Sequence, residues 1–263
     1  FDKQSGIMTS LVYGKKEMIY EKQGFTFNWY RSINNDSREN YPLSTAPVLF
    51  ETIEDKSKIV VKTAMTATLE KVKDGVYPYT ITYTILSNGE VKVDAQFELK
   101  EYAYKVPRLG LTASLTPSLE DVEYYGRGPW ENYRDRQTAS FVGIYKNTVT
   151  GFEESYIRTQ SMGNRGEIRW VELTDPSNTG LVFKACNQQY FNFSALHFTD
   201  AQLWNSFRHG HEIPQKRLKQ VIFNIDAIQR GIGNQSCGPG PLPQYEIEPG
   251  THSLNFTISP IKN

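Results

Sequence analysis

Val91-Lys92-Val93-Asp94-Ala95-Gln96-Phe97-Glu98-Leu99 alternates apolar and polar side chains without an exception. Successive side chains of a strand point to opposite faces, so this period of two marks a strand with one face in a core and the other in water. Just upstream, Tyr77, Tyr79, Ile81, Tyr83 and Ile85 alternate with Pro78, Thr80, Thr82 and Thr84, and Ser87-Asn88-Gly89-Glu90 joins the two runs. Asn-Gly is the strongest short hairpin signal, because both residues tolerate positive φ. The two runs therefore predict an antiparallel hairpin.

Working outward, Ile59, Val61, Met65, Ala67 and Leu69 form another alternating run, while Phe25–Tyr30, Gly180–Cys186, Val221–Ile225 and Leu254–Ile258 read as further strands. Helical periodicity is confined to a short segment after Thr199-Asp200, with Thr199 as its cap and Leu203-Trp204 packing inward. Ser32–Tyr41 and Gln235–Gln244 read as exposed loops, the first rich in Asn, Ser and charge, the second in Gly and Pro. No repeat or low-complexity segment divides the chain. Many short strands and little helix predict an all-β fold, a large antiparallel sandwich forming a single domain over residues 1–263.

Composition excludes several classes of partner. Lys+Arg and Asp+Glu both total 29, so no net charge draws the chain to nucleic acid or an anionic membrane. Apolar runs fall well short of the roughly 20 residues that cross a bilayer, and the chain reads as soluble. Cys186 and Cys237 are too few for a disulfide-stapled secreted scaffold. They leave the compartment open between the cytoplasm and the periplasm of a bacterium. The chain opens Phe1-Asp2-Lys3-Gln4-Ser5-Gly6-Ile7, without an initiator Met or a signal core, and reads as an excised piece.

The densest stretch of special residues is Tyr124-Tyr125-Gly126-Arg127-Gly128-Pro129-Trp130-Glu131-Asn132-Tyr133-Arg134-Asp135-Arg136. Its glycines permit unusual backbone angles and Pro129 fixes φ, which predicts a sharp, rigid, aromatic-rich loop. It closely resembles the G-x-G-P-x-E-N-Y-x-D-R signature in the C-terminal domain of family-2 β-galactosidases. Four more blocks are similar and in the same order: Phe1–Gly6, Gly163-Asn164-Arg165 with Arg169-Trp170, His209-Gly210-His211, and Asn224-Ile225-Asp226 leading to Gly231-Ile232-Gly233.

The resemblance implies a supersandwich similar to galactose mutarotase, forming the C-terminal part of a larger enzyme that removes terminal β-galactose from lactose-type substrates with retention. It implies that both catalytic glutamates sit on a separate (β/α)-barrel, the partner of this domain in the same polypeptide. No repeated β-α pattern here supplies one, so no catalytic residue is assigned to this chain, which alone should be inactive. Divalent and monovalent cations common in the family are implied to bind elsewhere; no metal or cofactor is assigned here. A homo-oligomeric parent is compatible with the resemblance. Asn234, Gln235, Ser236 and Cys237 are implied to touch substrate. Glu131, Asn132, Tyr133, Asp135, Arg136, Asn164, Arg165, Arg169, Trp170, His209 and His211 are expected to shape loops and interfaces.

Two departures stand out. The family's G-x-G-G-x-x-S-W is one residue shorter here and ends in Cys237, which offers a sugar far less surface than an indole. Gln160-Ser161-Met162-Gly163 stands where related sequences read Q-E-N-G.

Other readings compete. Glu131, Asp135 and Arg136 fit turn-stabilising ion pairs or interdomain contacts better than a catalytic set. His197, His209 and His211 lack a further ligand at zinc spacing. A stand-alone mutarotase would need a His and a carboxylate facing each other across a pocket. A carbohydrate-binding module would present Trp29, Trp130, Trp170 or Trp204 as a platform. Cys186 is expected to be buried and inert and Cys237 exposed, neither a nucleophile. Gly231-Ile232-Gly233 lacks the third glycine and strand-to-helix context of a dinucleotide site and reads as a turn.

Overall fold

The computed structural model describes residues 1–33, 41–101, 105–206, 213, 216–234 and 238–261. Its strands are β1 (Val12–Tyr13), β2 (Lys16–Glu17), β3 (Thr26–Asn28), β4 (Leu43–Glu54), β5 (Lys58–Leu69), β6 (Val76–Leu86), β7 (Val91–Leu99) and β8 (Arg108–Leu115). Then follow β9 (Asp121–Gly128), β10 (Phe141–Thr148), β11 (Arg165–Ile168), β12 (Trp170–Thr174), β13 (Gly180–Ala185), β14 (Phe191–Leu196), the helix α1 (Asp200–Asn205), β15 (Val221–Gln229) and β16 (Gly250–Pro260).

Among the described residues nine strands form one antiparallel sheet in the order β10-β9-β12-β13-β16-β7-β6-β5-β4, five form a second, β11-β14-β15-β8-β3, and β1 pairs with β2. The expected all-β, antiparallel sandwich is what the chain builds. In β7 the five apolar residues are buried and the alternating polar ones are not. Aromatic rings join the sheets: Phe27 of β3 lies 5.3 Å from Tyr79 and 5.9 Å from Phe97, and Phe183 of β13 lies 4.4 Å from Phe223 of β15. Each such side chain contributes about 1.5–3 kcal/mol by leaving water.

The hairpin between β6 and β7 differs in detail from its expectation. Of the loop residues only Gly89 has positive φ, at 88°. The Gly89 amide donates to the Leu86 carbonyl and the Leu86 amide to the Glu90 carbonyl, which makes a three-residue loop closed by a left-handed glycine. The helix is as expected: Thr199 caps α1 in a reciprocal box with Gln202, and Leu203 is buried.

Four expectations need correction. Within Tyr124–Arg136, residues 124–128 are strand, not loop, with Tyr124 facing the core and Tyr125 facing out. Gly126 and Gly128 are there for space rather than for backbone angle: an added Cβ would lie 2.3 Å from Ile168 Cδ1 and 2.3 Å from Tyr124 Oη respectively. The Phe25–Tyr30 strand shrinks to Thr26–Asn28. Ser32, at the start of the expected exposed loop, is fully buried and bonded to Ser161.

Candidate functional site

Three loops meet at one rim of the sandwich: 129–136 after β9, 153–164 before β11, and 230–234 with 238–246 after β15. Asn132 ties the first two together. Its amide donates to the Asn164 carbonyl at 3.0 Å, its carbonyl accepts from Asn164 Nδ2 at 2.6 Å, and its Oδ1 accepts from the Gly166 amide at 3.0 Å. Its Nδ2 also donates to the carbonyls of Arg127 and Trp130, both at 3.1 Å. Buried amides are seldom left unpaired, and this one is used at every atom.

Glu131 fixes the same junction. One carboxyl oxygen accepts from the Gly163 amide at 2.9 Å and the other from the Tyr156 hydroxyl. Burial pushes the Glu131 carboxyl above its ordinary value, against the pull of those two donors. Arg165 donates from Nε and Nη2 to the Pro129 carbonyl at 3.1 and 2.8 Å and lies over the Phe152 ring. Tyr133 is buried beneath Arg31, whose guanidinium sits 5.7 Å from the ring centre. Burial raises the Tyr133 phenol well above its usual range.

The next three residues reach the third loop. Arg134 donates to the carbonyls of Glu246 and Gln244, Asp135 accepts from the amides of Ile232 and Gly233, and Arg136 donates to the Gly233 carbonyl. The ion pairs expected of Asp135 and Arg136 give way to bonds with backbone groups.

Beneath the loops lies a buried polar network. Arg108 grips Asp226 with two nitrogens and donates to Asp200 at 3.1 Å. Gln229 Nε2 bridges Asp226 at 2.8 Å and Asn164 at 2.9 Å. Arg31, Arg108 and Gln229 carry no signal of their own in the sequence, and Arg134 and Asp200 read there only as part of the loop and of the helix start. The one available signal was polar residues inside an apolar run: Asn224 and Asp226 interrupt β15, and a buried carboxylate needs a partner.

Arg169 and Trp170 do not join this rim. They lie with Tyr125 and Tyr190 on the outer face of the large sheet, the Arg169 guanidinium 3.9 Å from the Tyr190 ring centre. Asn234 is exposed at the rim, while Gln235, Ser236, Cys237, His209 and His211 lie outside the described residues. Trp29 is buried, Trp204 packs partly against the core, and Trp130 is 65% exposed beside the loops. Those positions form no shared platform. Cys186 is half-buried rather than buried.

His197 Nε2 donates to the Glu120 carboxylate at 2.9 Å, and its other ring nitrogen lies 3.1 Å from the Gln220 carbonyl. This pair is in direct contact, whereas the His and carboxylate of the mutarotase reading would face each other across a pocket; His209 and His211 lie outside the described residues. Among the described residues no group of three or more His, Cys, Asp or Glu could hold a metal ion, and no helix is long and apolar enough to cross a membrane.

The carboxylates of Glu131, Asp135, Asp200 and Asp226 are thus all bonded to protein groups. The rim is a scaffold that displays Trp130, Ile157 and Leu242 to solvent.

Residues 1–258 match the family described as beta galactosidase small chain. A β-galactosidase of Lactobacillus delbrueckii subsp. bulgaricus is 34% identical over 99% of this chain and 26% of its own length. That of Staphylococcus xylosus is 28% identical over 98% of this chain and 26% of its own. The chain spans about a quarter of the length of these curated relatives. A solved GalM/aldose epimerase homologue from C. elegans has a TM-score of 0.40 and 11% identity, covering 81% of this chain and 68% of that one.

Proposed function

Because the chain belongs to the β-galactosidase small-chain family, we propose that it is one supersandwich domain, the C-terminal part of a family-2 β-galactosidase. The whole enzyme hydrolyses terminal non-reducing β-galactosides with retention, and its catalytic glutamates lie on a separate barrel in the same polypeptide. This domain packs its loop rim on that barrel and walls the sugar site with Asn234 and the residues that follow, Gln235 to Cys237.

The observation that carries this reading is the rim itself. It gathers the motif residues Glu131 to Arg136 and Asn164–Arg165 in one place, spends their polar groups on backbone, and leaves large apolar side chains outside. Trp130, Ile157 and Leu242, one on each of the three loops, are apolar groups that a docked partner would cover. A retaining site needs two carboxylates free to act on the sugar, whereas Glu131 and Asp135 are engaged in holding the loops.

The test compares the full-length enzyme with residues 1–263 alone, using o-nitrophenyl β-galactoside and lactose. Full-length enzyme should release galactose as the β-anomer at first, and the chain alone should release none. Hydrolysis by the isolated chain would overturn the reading.

A further inference from the structure

Resting on that reading of the rim, we propose that Arg134, Asp135 and Arg136 are positioning residues that set where Asn234 meets the sugar. The case begins with the backbone of residues 230–234. The Arg230 amide donates to the Pro107 carbonyl at 2.9 Å, and the Gly231 amide to the Tyr245 carbonyl at 2.8 Å. The carbonyls of Arg230 and Gly231 accept from Arg31 at 2.6 and 3.1 Å. The amides of Ile232 and Gly233 donate to Asp135 at 3.0 and 2.7 Å, and the Gly233 carbonyl accepts from Arg136 at 2.5 Å. Asn234 closes the segment by donating its amide to the Pro239 carbonyl at 3.1 Å.

Two consecutive amides aimed at one carboxylate, the second on a left-handed residue, make an anion-binding nest. Here the chain supplies its own anion. Gly233 has φ of 56°, and an added Cβ would lie 2.6 Å from the backbone of Gly240. At Gly231 an added Cβ would lie 2.8 Å from Asp135 Cγ. Both glycines of Gly231-Ile232-Gly233 are therefore required by the fit of Asp135 and by the turn that it holds. Arg134 secures the returning side of the same loop through the carbonyls of Glu246 at 3.0 Å and Gln244 at 3.4 Å. Three neighbouring side chains from one loop thus fix both sides of another.

Such a clamp acts through the geometry of Asn234 and not by touching the reacting atoms. Misplacement of a substrate-positioning group is felt in binding and rate, and a shift of about 1 Å costs up to about a hundredfold.

The experiment uses the full-length enzyme, with Asp135→Ala, Asp135→Asn and Arg136→Met. Asp175→Asn serves as a control: Asp175 follows Thr174, which pairs with Asp121 at the end of β9 opposite the rim. Asp135→Ala should raise KM for lactose about tenfold with a smaller change in kcat, and Asp135→Asn, which keeps one acceptor oxygen, should fall between it and the wild type. Hydrogen exchange at Ile232 and Gly233 should quicken in both Asp135 variants and in Arg136→Met, and not in the control. Unchanged exchange would overturn the clamp. Faster exchange with an unchanged KM, or an equal KM shift in Asp175→Asn, would overturn the positioning role. A wild-type enzyme that cleaves no β-galactoside would remove the functional reading and the positioning role with it, while the exchange data would still judge the clamp.

Discussion

Arg108 and Asp226 form a buried two-point pair between neighbouring strands, Nε 3.1 Å from Oδ1 and Nη2 2.5 Å from Oδ2. The partner strand makes room for it: Gly110 sits opposite Asp226, and an added Cβ there would lie 2.2 Å from Asp226 Oδ1. Removing one member of a buried pair strands the other charge. Arg108→Met should therefore cost about 3–5 kcal/mol of stability, read from urea unfolding, and Gly110→Ala should also destabilise by displacing the carboxylate. A loss below about 1 kcal/mol for Arg108→Met would show that Asp226 finds another partner or takes up a proton.

Asp175 gives a prediction in pH. Burial alone would raise its carboxyl, but donors from Lys16, the Ser177 hydroxyl and the amides of Thr179 and Ser177 prevail and hold it well below its ordinary 3.8. A carboxyl with a depressed folded-state value adds stability that is complete above its unfolded value and is lost as pH falls toward the folded one. Wild type should thus exceed Asp175→Asn in stability at pH 7, and the gap should narrow once pH drops below about 4. A gap that is constant from neutral to acid pH would refute the assignment.

Legibility of the fold followed burial. Strands β6 and β7 announced themselves because one face is core and the other is wet, which imprints alternation on the residues. Strand β8 alternates as well, Leu109, Leu111, Ala113 and Leu115 against Arg108, Gly110, Thr112 and Ser114, but all of that polar face except Thr112 is buried, so the pattern does not report a wet side. At the other extreme, β4 is largely exposed and shifts register between Pro47 and Leu49, so its pattern is broken. The rim was legible where special residues mark it, at Glu131, Asn132, Asp135 and Asn164. Its arginines were not: Arg31 and Arg108 are buried only because the sheets bring carbonyls and carboxylates to them from residues roughly a hundred or more positions away in sequence.

Cys186 should be a slow nucleophile. Burial pushes its thiol above the ordinary 9.0, so little thiolate forms near neutrality. In a Cys237→Ser background, alkylation by iodoacetamide at pH 7 should run slower than that of free cysteine and catch up under alkaline conditions. A rate equal to free cysteine at pH 7 would mean that the thiol is more open than its surroundings indicate.

The apolar rim makes the last prediction, which separates a docking surface from incidental exposure. Trp130 is 65% exposed and Ile157 is 93% exposed, so neither contributes much to the fold of the chain itself. Replacing either with Ser in residues 1–263 alone should change stability by no more than about 0.5 kcal/mol. If the rim packs on the catalytic barrel as proposed, the same changes in the full-length enzyme remove buried apolar area and should cost about 1–3 kcal/mol in unfolding experiments. Equal, negligible effects in both settings would place the rim in water. The docking face would then be sought along the free edge of the large sheet, where Phe141, Val142 and Ile144 of β10 are also exposed.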